Sequence, residues 1–351
     1  MKPACLLLLE AKPAASGAAP WRRFRAARSF LSDIGFDVAT LWRESGECGA
    51  AQARYLVEVD PRAARASADN FEAAIRTMSD RTPYAAVYAM SPDLADAGRD
   101  QDGLTLVDLQ AGLDEDFDPA AQQTEADQMR KANIVVTATP QQRTFAEALG
   151  VEAVEAPLLA HGERKKRPRF HSDRLLAGVW VEAEAAAIDA ARELFERIQE
   201  RGGGAAPNFA IAGPGASSID PPNLPFPVTR MPADTAEMVF YRGLDIAVAP
   251  DIAGGAPRLD VVAALECGAA PLASSSGLNG LRRHWRLPHF RDLHSLADYL
   301  FERGAEMRDG GLVTELRARA DWTWSSLTGA SARQRERLAS RIRAMLPSDA
   351  R

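Results

Sequence analysis

Short apolar runs separated by stretches of helical period organise the first half of the chain. The run "ACLLLLE" (4–10) is followed by a small-residue loop, "AKPAASGAAP", and then by "WRRFRAARSFLSDIGFDVATL". In that last segment Trp21, Phe24, Ala27, Leu31 and Ile34 recur at helical spacing, with Arg22, Arg23 and Arg25 assigned to the surface. Gly35 stands where a helix C-cap is expected, and "FDVATL" returns as a strand. Further strands are predicted at 54–59, 84–90, 104–109 and 133–138, with helical stretches at 69–79 and 119–131. From 175 onward the alternation starts again. "LLAGVWV" leads into "EAAAIDAARELFERIQERGGG", then come "NFAIAGPGAS", "LDIAVAP" (244–250) and a helical tail. Strands that are apolar throughout, alternating with helices, predict α/β architecture with parallel sheets covered on both faces.

Length turns this pattern into two domains, because 351 residues exceed what one ordinary core organises. The basic, proline-containing run "HGERKKRPRFHSDR" reads as an exposed linker. The expected division is therefore an N-terminal domain over 1–160, a linker over 161–174 and a C-terminal domain over 175–351. Two Rossmann-like domains are expected to face each other across a cleft, with ligands beyond the carboxyl ends of the strands. A formal charge of −6 argues against a nucleic-acid partner. Cys5, Cys48 and Cys267 are too far apart to suggest a metal site or a disulfide framework, and their usage suits a reducing cytoplasm. The apolar run "CLLLL" is too short for a signal peptide or a membrane span.

One segment poses the chemical question: "RLDVVAALECGAAPLASSSGLNGL", Arg258 to Leu281. It belongs to the longer stretch "MPADTAEMVFYRGLDIAVAPDIAGGAPRLDVVAALECGAAPLASSSGLNGL". With "LLAGVWVEAEAAAIDAARELFERI", "NFAIAGPGAS" and the tail "LHSLADYLFERGAEMRDGGLVTELRARADWTWSSL", it resembles the nucleotide-binding domain of GT-B glycosyltransferases, most nearly the retaining group called family four. The N-terminal half resembles the same family more loosely, through its first strand, loop and helix and through "ADQMRKANIVVTATPQQRTFAEALGVEAVEAPLLA".

That resemblance implies a GT-B fold and transfer of a sugar from a nucleotide donor to a glycan, lipid or protein acceptor. It implies retention of configuration, no metal and no cofactor beyond the sugar nucleotide itself. Backbone amides at Gly254 and Gly255, ahead of the donor helix, would receive the diphosphate, with Gly17 serving from the other domain. The same glycines also suit plain turns. The chain departs from the family at several positions. Ala263 falls where the ribose-binding carboxylate is expected, and Asp260 falls on the usual lysine. Val179, Trp180, Val181 and Glu182 replace an arginine–lysine pair. Glu266, three residues after Ala263, is the candidate substitute carboxylate, against its reading as a solvated charge. Arg258 is the candidate catalytic cation on the diphosphate, ahead of Arg230, Arg22 and Arg23.

On the acceptor side Asp108, ending the strand "LTLVDL", is placed either on an acceptor hydroxyl or as a cap. No histidine occurs in the acceptor half before the linker, so an inverting-type histidine base is not visible. The basic and aromatic stretches "WRRFRAARSF" and "LRRHWRLPHF" suit either peripheral contact with an anionic membrane face or helices that bury aromatics and solvate arginines. "DWTWSSL" is expected to pack the closing helix onto the body through Trp322 and Trp324. The departures at Ala263, Asp260 and Glu182 keep a second reading open, a GT-B protein without catalysis that binds or scaffolds.

Overall fold

The computed structural model describes residues 2–11, 18–44, 62–96, 103–109, 119–156, 164, 176–182, 185–202, 207–219, 227–232, 235–250, 259–275, 278, 280–308 and 310–346. The chain divides into two compact units. Unit 1 comprises Met1–Leu159 with Ala330–Arg351, and unit 2 is Ala160–Gly329. The expected strand at 54–59, Gly17, Gly254, Gly255 and Arg258 lie outside the described residues.

Among the described residues unit 1 holds seven parallel strands: β1 (Ala4–Ala11), β2 (Asp37–Glu44), β3 (Ala64–Ser67), β4 (Ala86–Ala89), β5 (Leu104–Leu109), β6 (Ile134–Thr137) and β7 (Ala153–Glu155). Their order is β3-β2-β1-β4-β5-β6-β7. The helices between them are α1 (Ala18–Asp33), α2 (Phe71–Arg81), α3 (Pro119–Met129) and α4 (Pro140–Ala148). Alternation within the strands sorts the core onto two faces, as a pleated strand requires. Leu7, Leu9, Trp42 and Tyr88 pack with Phe24 and Phe30 of α1, while Leu6, Leu8, Leu41 and Val87 pack with Phe71 and Ile75 of α2. Gly35, at φ 104°, closes α1. Its neighbour Phe36 donates to Leu31 O at 3.0 Å, the reversal that only a residue without Cβ makes cheaply.

The division of the C-terminal tail differs from the sequence expectation. Leu338, Ala339, Ile342 and Leu346 join the core of unit 1 beside Phe30 and Leu104, so Ala330–Arg351 belongs to the first unit rather than the second. Arg341 pairs with Glu152 and Arg335 with Asp33, which fixes the register of that helix on unit 1. An amphipathic helix carries no label for the sheet it covers.

Unit 2 carries β8 (Leu176–Trp180), α5 (Ala185–Glu200), β9 (Asn208–Ala212), β10 (Val228–Arg230), α6 (Glu237–Gly243), β11 (Ile246–Ala249), α7 (Leu259–Cys267), β12 (Ala270–Ser274), β13 (His289–Phe290), α8 (Leu293–Glu302), α9 (Gly304–Arg308) and α10 (Gly311–Met345), whose last turns run on into unit 1. The sheet is parallel, in the order β10-β9-β8-β11-β12-β13. Gly178 lies under Leu244 and Phe240 so closely that a Cβ there would stand 2.8 Å from the Phe240 ring. Of the two tryptophans expected to pack the closing helix, Trp324 is buried but Trp322 is 46% exposed, with Arg286 stacked 4.4 Å from its ring. Among the described residues no helix is long and apolar enough to cross a membrane.

Candidate functional site

In each sheet the strand order reverses once beside the first strand, and open parallel sheets bind ligands outside the carboxyl ends of strands at that reversal. In unit 2 the reversal falls between β8 and β11. The segment Val181–Glu182 leaves β8 there, and α7 begins its return from the same edge.

Two loops are pressed together at this edge. Val181 N–H donates to Ala212 O at 2.8 Å, and Gly215 N–H donates to Val181 O at 2.9 Å. A Cβ on Gly215 would collide with the Glu182 carbonyl and stand 2.9 Å from the Val181 side chain. Gly213, at φ 107°, faces Val181 just as closely. "GPGAS" falls short of a dinucleotide fingerprint, and its glycines serve this backbone-to-backbone contact instead. They pin the loop that follows β8, the position where the family resemblance places its cation pair.

The side chains at that position are an apolar residue and an acid. Val181 is fully buried, and Glu182 accepts the Trp180 indole N–H at 3.1 Å. Trp180 in turn lies 5.8 Å from Phe240 and 6.4 Å from Tyr241, ring centre to ring centre. This indole-to-carboxylate arrangement was not anticipated. Its sequence signal is the pair Trp180 and Glu182, two apart at a strand end, which put both side chains on one side of the extended backbone.

Helix α7 resolves two further expectations. Ala263, at the ribose-acid position, is 1% exposed and packs with Phe240, Tyr241 and Ala247. A carboxylate there would be buried in an apolar cluster. Glu266 is only partly buried but sits in the last turn of α7, seven residues from its start. At 1.5 Å per residue that is about 10 Å from the helix start. The end of α7 adjoins the amino edge of the sheet, where Ala270 N–H bonds Asp245 O at 3.0 Å. Glu266 therefore stands toward the amino edge of the sheet, away from the carboxyl ends of its strands. Arg230 is exposed and spends a donor on the Ile219 carbonyl.

The end of α7 has its own cation. Arg164 lies in the run expected to be an exposed linker, yet its side chain is only 11% exposed. Nε donates to Leu265 O at 2.7 Å, Nη2 to Ala269 O at 3.2 Å, and Nη1 pairs with Asp321. Burial and the neighbouring Arg317 pull its pKa down to about 10, leaving it cationic at neutral pH. The guanidinium adds a charged donor at the helix C-terminus, to Leu265 O, which also accepts Gly268 N–H at 3.1 Å, and to Ala269 O just beyond the helix. Arg164→Ala is expected to lower stability by about 1.5–3 kcal/mol, read from thermal unfolding. Arg164→Lys should recover only part, because an ammonium lacks the planar fork.

In unit 1 the acceptor-side candidate has a different occupation. Asp108 is fully buried, and Arg23, also expected at the surface, is 4% exposed. Arg23 Nη2 donates to Asp108 Oδ1 at 2.7 Å, and its Nε lies 3.1 Å from both carboxylate oxygens. Tyr88 donates its hydroxyl to Oδ2 at 2.8 Å. Burial opposes the Arg23 charge most strongly of any one cause, but Asp108 and Tyr88 together outweigh it and raise the guanidinium pKa. Burial, with Asp108 adding to it, raises the Tyr88 pKa well above its ordinary value. Asp108 is thus corrected from an acceptor contact to the centre of a buried triad tying α1 to β4 and β5. The period of α1 places Arg23 beside Phe24 on the buried flank, but only the carboxylate beneath it makes that placement affordable.

In the aromatic-and-basic stretches the burial is mixed, since Arg23 is buried along with the aromatic side chains. Phe24, Phe30, Trp285 and Phe290 are buried, while Arg25, Arg282, Arg283 and Arg286 are exposed.

No protein-family model matches the sequence, and a search of curated proteins finds no match. Solved structures do match over nearly the whole chain. HepE of Anabaena, in complex with UDP and glucose, superposes at a TM-score of 0.64 with 12% identity, covering 98% of this chain and 100% of that one. A variant of S. aureus TarM bound to Fondaparinux, alpha-GlcNAc-glycerol and UDP gives 0.65 with 10% identity, over 97% and 100%. A glycosyltransferase from Rickettsia africae gives 0.64 with 11% identity, over 97% and 98%. These neighbours are GT-B proteins, and the chain has the GT-B fold.

Proposed function

We propose that this GT-B chain is a glycosyltransferase that moves a sugar from a nucleotide donor, with uridine diphosphate as the leaving group, to a glycan, lipid or protein acceptor. The observation that carries the reading is the end-to-end fold likeness to structures holding UDP, joined to a unit 2 sheet whose strand order reverses between β8 and β11. In this reading the backbone amides of Gly254 and Gly255, which precede α7 in the chain, take the diphosphate. Arg258 neutralises the charge that grows on the leaving phosphate as the glycosidic bond breaks, without a metal ion. The sugar keeps its anomeric configuration, as the family-four resemblance implies, and the reaction takes place in the cytoplasm or at the inner membrane face.

Differential stabilisation of the leaving diphosphate is worth a few kcal/mol per well-placed donor. Arg258→Ala is therefore expected to lower the rate of sugar-nucleotide turnover by roughly a hundredfold while the fold is retained. UDP at millimolar concentration should raise the melting temperature of the full chain, since a ligand that binds only the native state stabilises it. Turnover unchanged by Arg258→Ala removes that residue from the phosphate role.

A second reading rests on two specific observations. Glu182 stands after β8 where a cation is expected, and Ala263 is a buried methyl where a ribose-binding acid is expected. Both favour a GT-B protein that has given up catalysis and binds or scaffolds within a glycan-assembly system. Absence of any melting shift with nucleoside diphosphates selects this second reading.

A further inference from the structure

The stretch "LRRHWRLPHF" and the exposed indole of Trp322 have no part in the proposed reaction, and the fold brings them together on one face of unit 2. Arg319, Trp322, Thr323 and Ser326 follow the i, i+3, i+4, i+7 spacing of a single face of α10. The turn at 282–286 lies across that face. His284 Nδ1 is 2.9 Å from Ser326 Oγ, Arg286 N–H donates to Thr323 Oγ1 at 3.2 Å, and the Arg286 guanidinium stacks 4.4 Å from the Trp322 ring. Each piece is anchored by a neighbouring indole. Trp285 is buried and its Nε1 donates to Pro288 O at 3.3 Å, and Trp324, two residues from Trp322 and so on the opposite side of the helix, is buried as well. Arg282, Arg286 and Trp322 are left exposed.

Charges on this face do not cancel. Arg319 pairs with Glu315 and Asp321 with Arg164, while Arg283 donates to His284 Nε2 at 3.0 Å. Arg282 and Arg286 have no ion pair among the described residues, so they stand as surplus cations on a chain whose formal charge is −6. Trp322 is 46% exposed, and the other large apolar side chain exposed among the described residues, Val239, belongs to α6. A protein-binding hot spot needs an apolar surround that keeps water from its centre, whereas this indole is bordered by guanidiniums and hydroxyls. An anionic bilayer supplies what the face lacks: a boundary that seats an amphipathic ring, and a layer of phosphates for the cations. A guanidinium is weakly hydrated and already rests on the ring, so the pair enters a headgroup layer at little desolvation cost.

We propose that this face of unit 2 docks reversibly on an anionic lipid surface, with the Trp322 indole at the headgroup boundary and the Arg282 and Arg286 guanidiniums on lipid phosphates. The assignment does not rest on the transferase reading, because it is tested without any sugar nucleotide. Co-sedimentation of the full chain with vesicles of equal parts phosphatidylglycerol and phosphatidylcholine, against phosphatidylcholine alone, measures it. The chain should bind the anionic vesicles at low salt, leave them as salt is raised, and ignore the neutral ones. Arg282→Gln and Arg286→Gln should each weaken binding about fivefold, the worth of one cation near an anionic surface. Trp322→Ala should weaken it roughly tenfold, the loss of a half-buried ring, and should abolish the blue shift of tryptophan emission that the vesicles cause. Arg76→Gln, on α2 in unit 1, should bind as the parent chain does. Melting temperatures of all these surface variants should match the parent, which separates lost docking from lost folding. No binding to anionic vesicles at low salt, or equal binding to neutral ones, overturns the proposal. So does binding that neither Trp322→Ala nor the double arginine variant weakens. Binding to polyglutamate as tight as to the vesicles, or self-association that Trp322→Ala abolishes, would assign the face to a protein partner instead and overturn it likewise.

Discussion

Arg23→Met is expected to destabilise the protein by about 3–5 kcal/mol, because it leaves the Asp108 carboxylate buried without its cation. Asp108 has no exposed surface, and the guanidinium supplies two of its three short donors; Tyr88 supplies the third. A tyrosine hydroxyl alone cannot neutralise an interior charge, so the carboxyl must either take up a proton or draw in water. Urea unfolding at neutral pH measures the loss. Arg23→Lys should fall between the two, since an ammonium keeps the charge but not the fork. The double variant Arg23→Met with Asp108→Leu should recover much of the stability, because a buried ion pair replaced by apolar groups of similar volume is often neutral. A midpoint for Arg23→Met within error of the parent chain would mean that the triad contributes nothing to stability.

Gly215→Ala should be nearly as costly and more damaging to function. Its new Cβ meets the Glu182 carbonyl and the Val181 side chain, both held by the sheet, and backbone cannot step aside as a flexible side chain does. The loss is put at about 3 kcal/mol, the upper range for overpacking. The loop after β8 must move or the loop after β9 must open, and either displaces the edge where the nucleotide is proposed to bind. The UDP-induced melting shift should shrink with it. Gly243→Ala is the matched control: a Cβ there meets nothing within 4 Å, and its φ is not in the left-handed region. It should be neutral or slightly stabilising, because alanine loses less backbone freedom on folding. Equal melting temperatures for the two variants would refute the loop-contact argument.

Local patterning carried most of the architecture. Apolar runs such as "CLLLL" and "IAVA" name buried parallel strands because both of their faces are covered, and the spacing of Phe24, Ala27 and Leu31 names α1 because it matches the helical repeat. The order of those elements was enough to suggest GT-B, and Gly35 marked the helix end.

The site was legible only in part. Ala263 and Glu182 stand out as departures at once, since the family resemblance implies a carboxylate and a cation at those positions. Pairings across many residues were not visible: Arg23 with Asp108, Arg164 with Leu265 and Ala269, and Gly215 with Glu182. An arginine in an amphipathic helix or a basic run looks solvated until a distant acceptor is brought beneath it.

What the amino-acid order determined by itself was the set of elements and their succession, because helical and strand periods arise from backbone geometry within a few residues. Tertiary structure alone decided which charges are interior, which glycines bear a second backbone, and that the last helical turns return to the first sheet. Those outcomes depend on contacts between residues far apart in the chain, and their energies exist only once the sheets have formed.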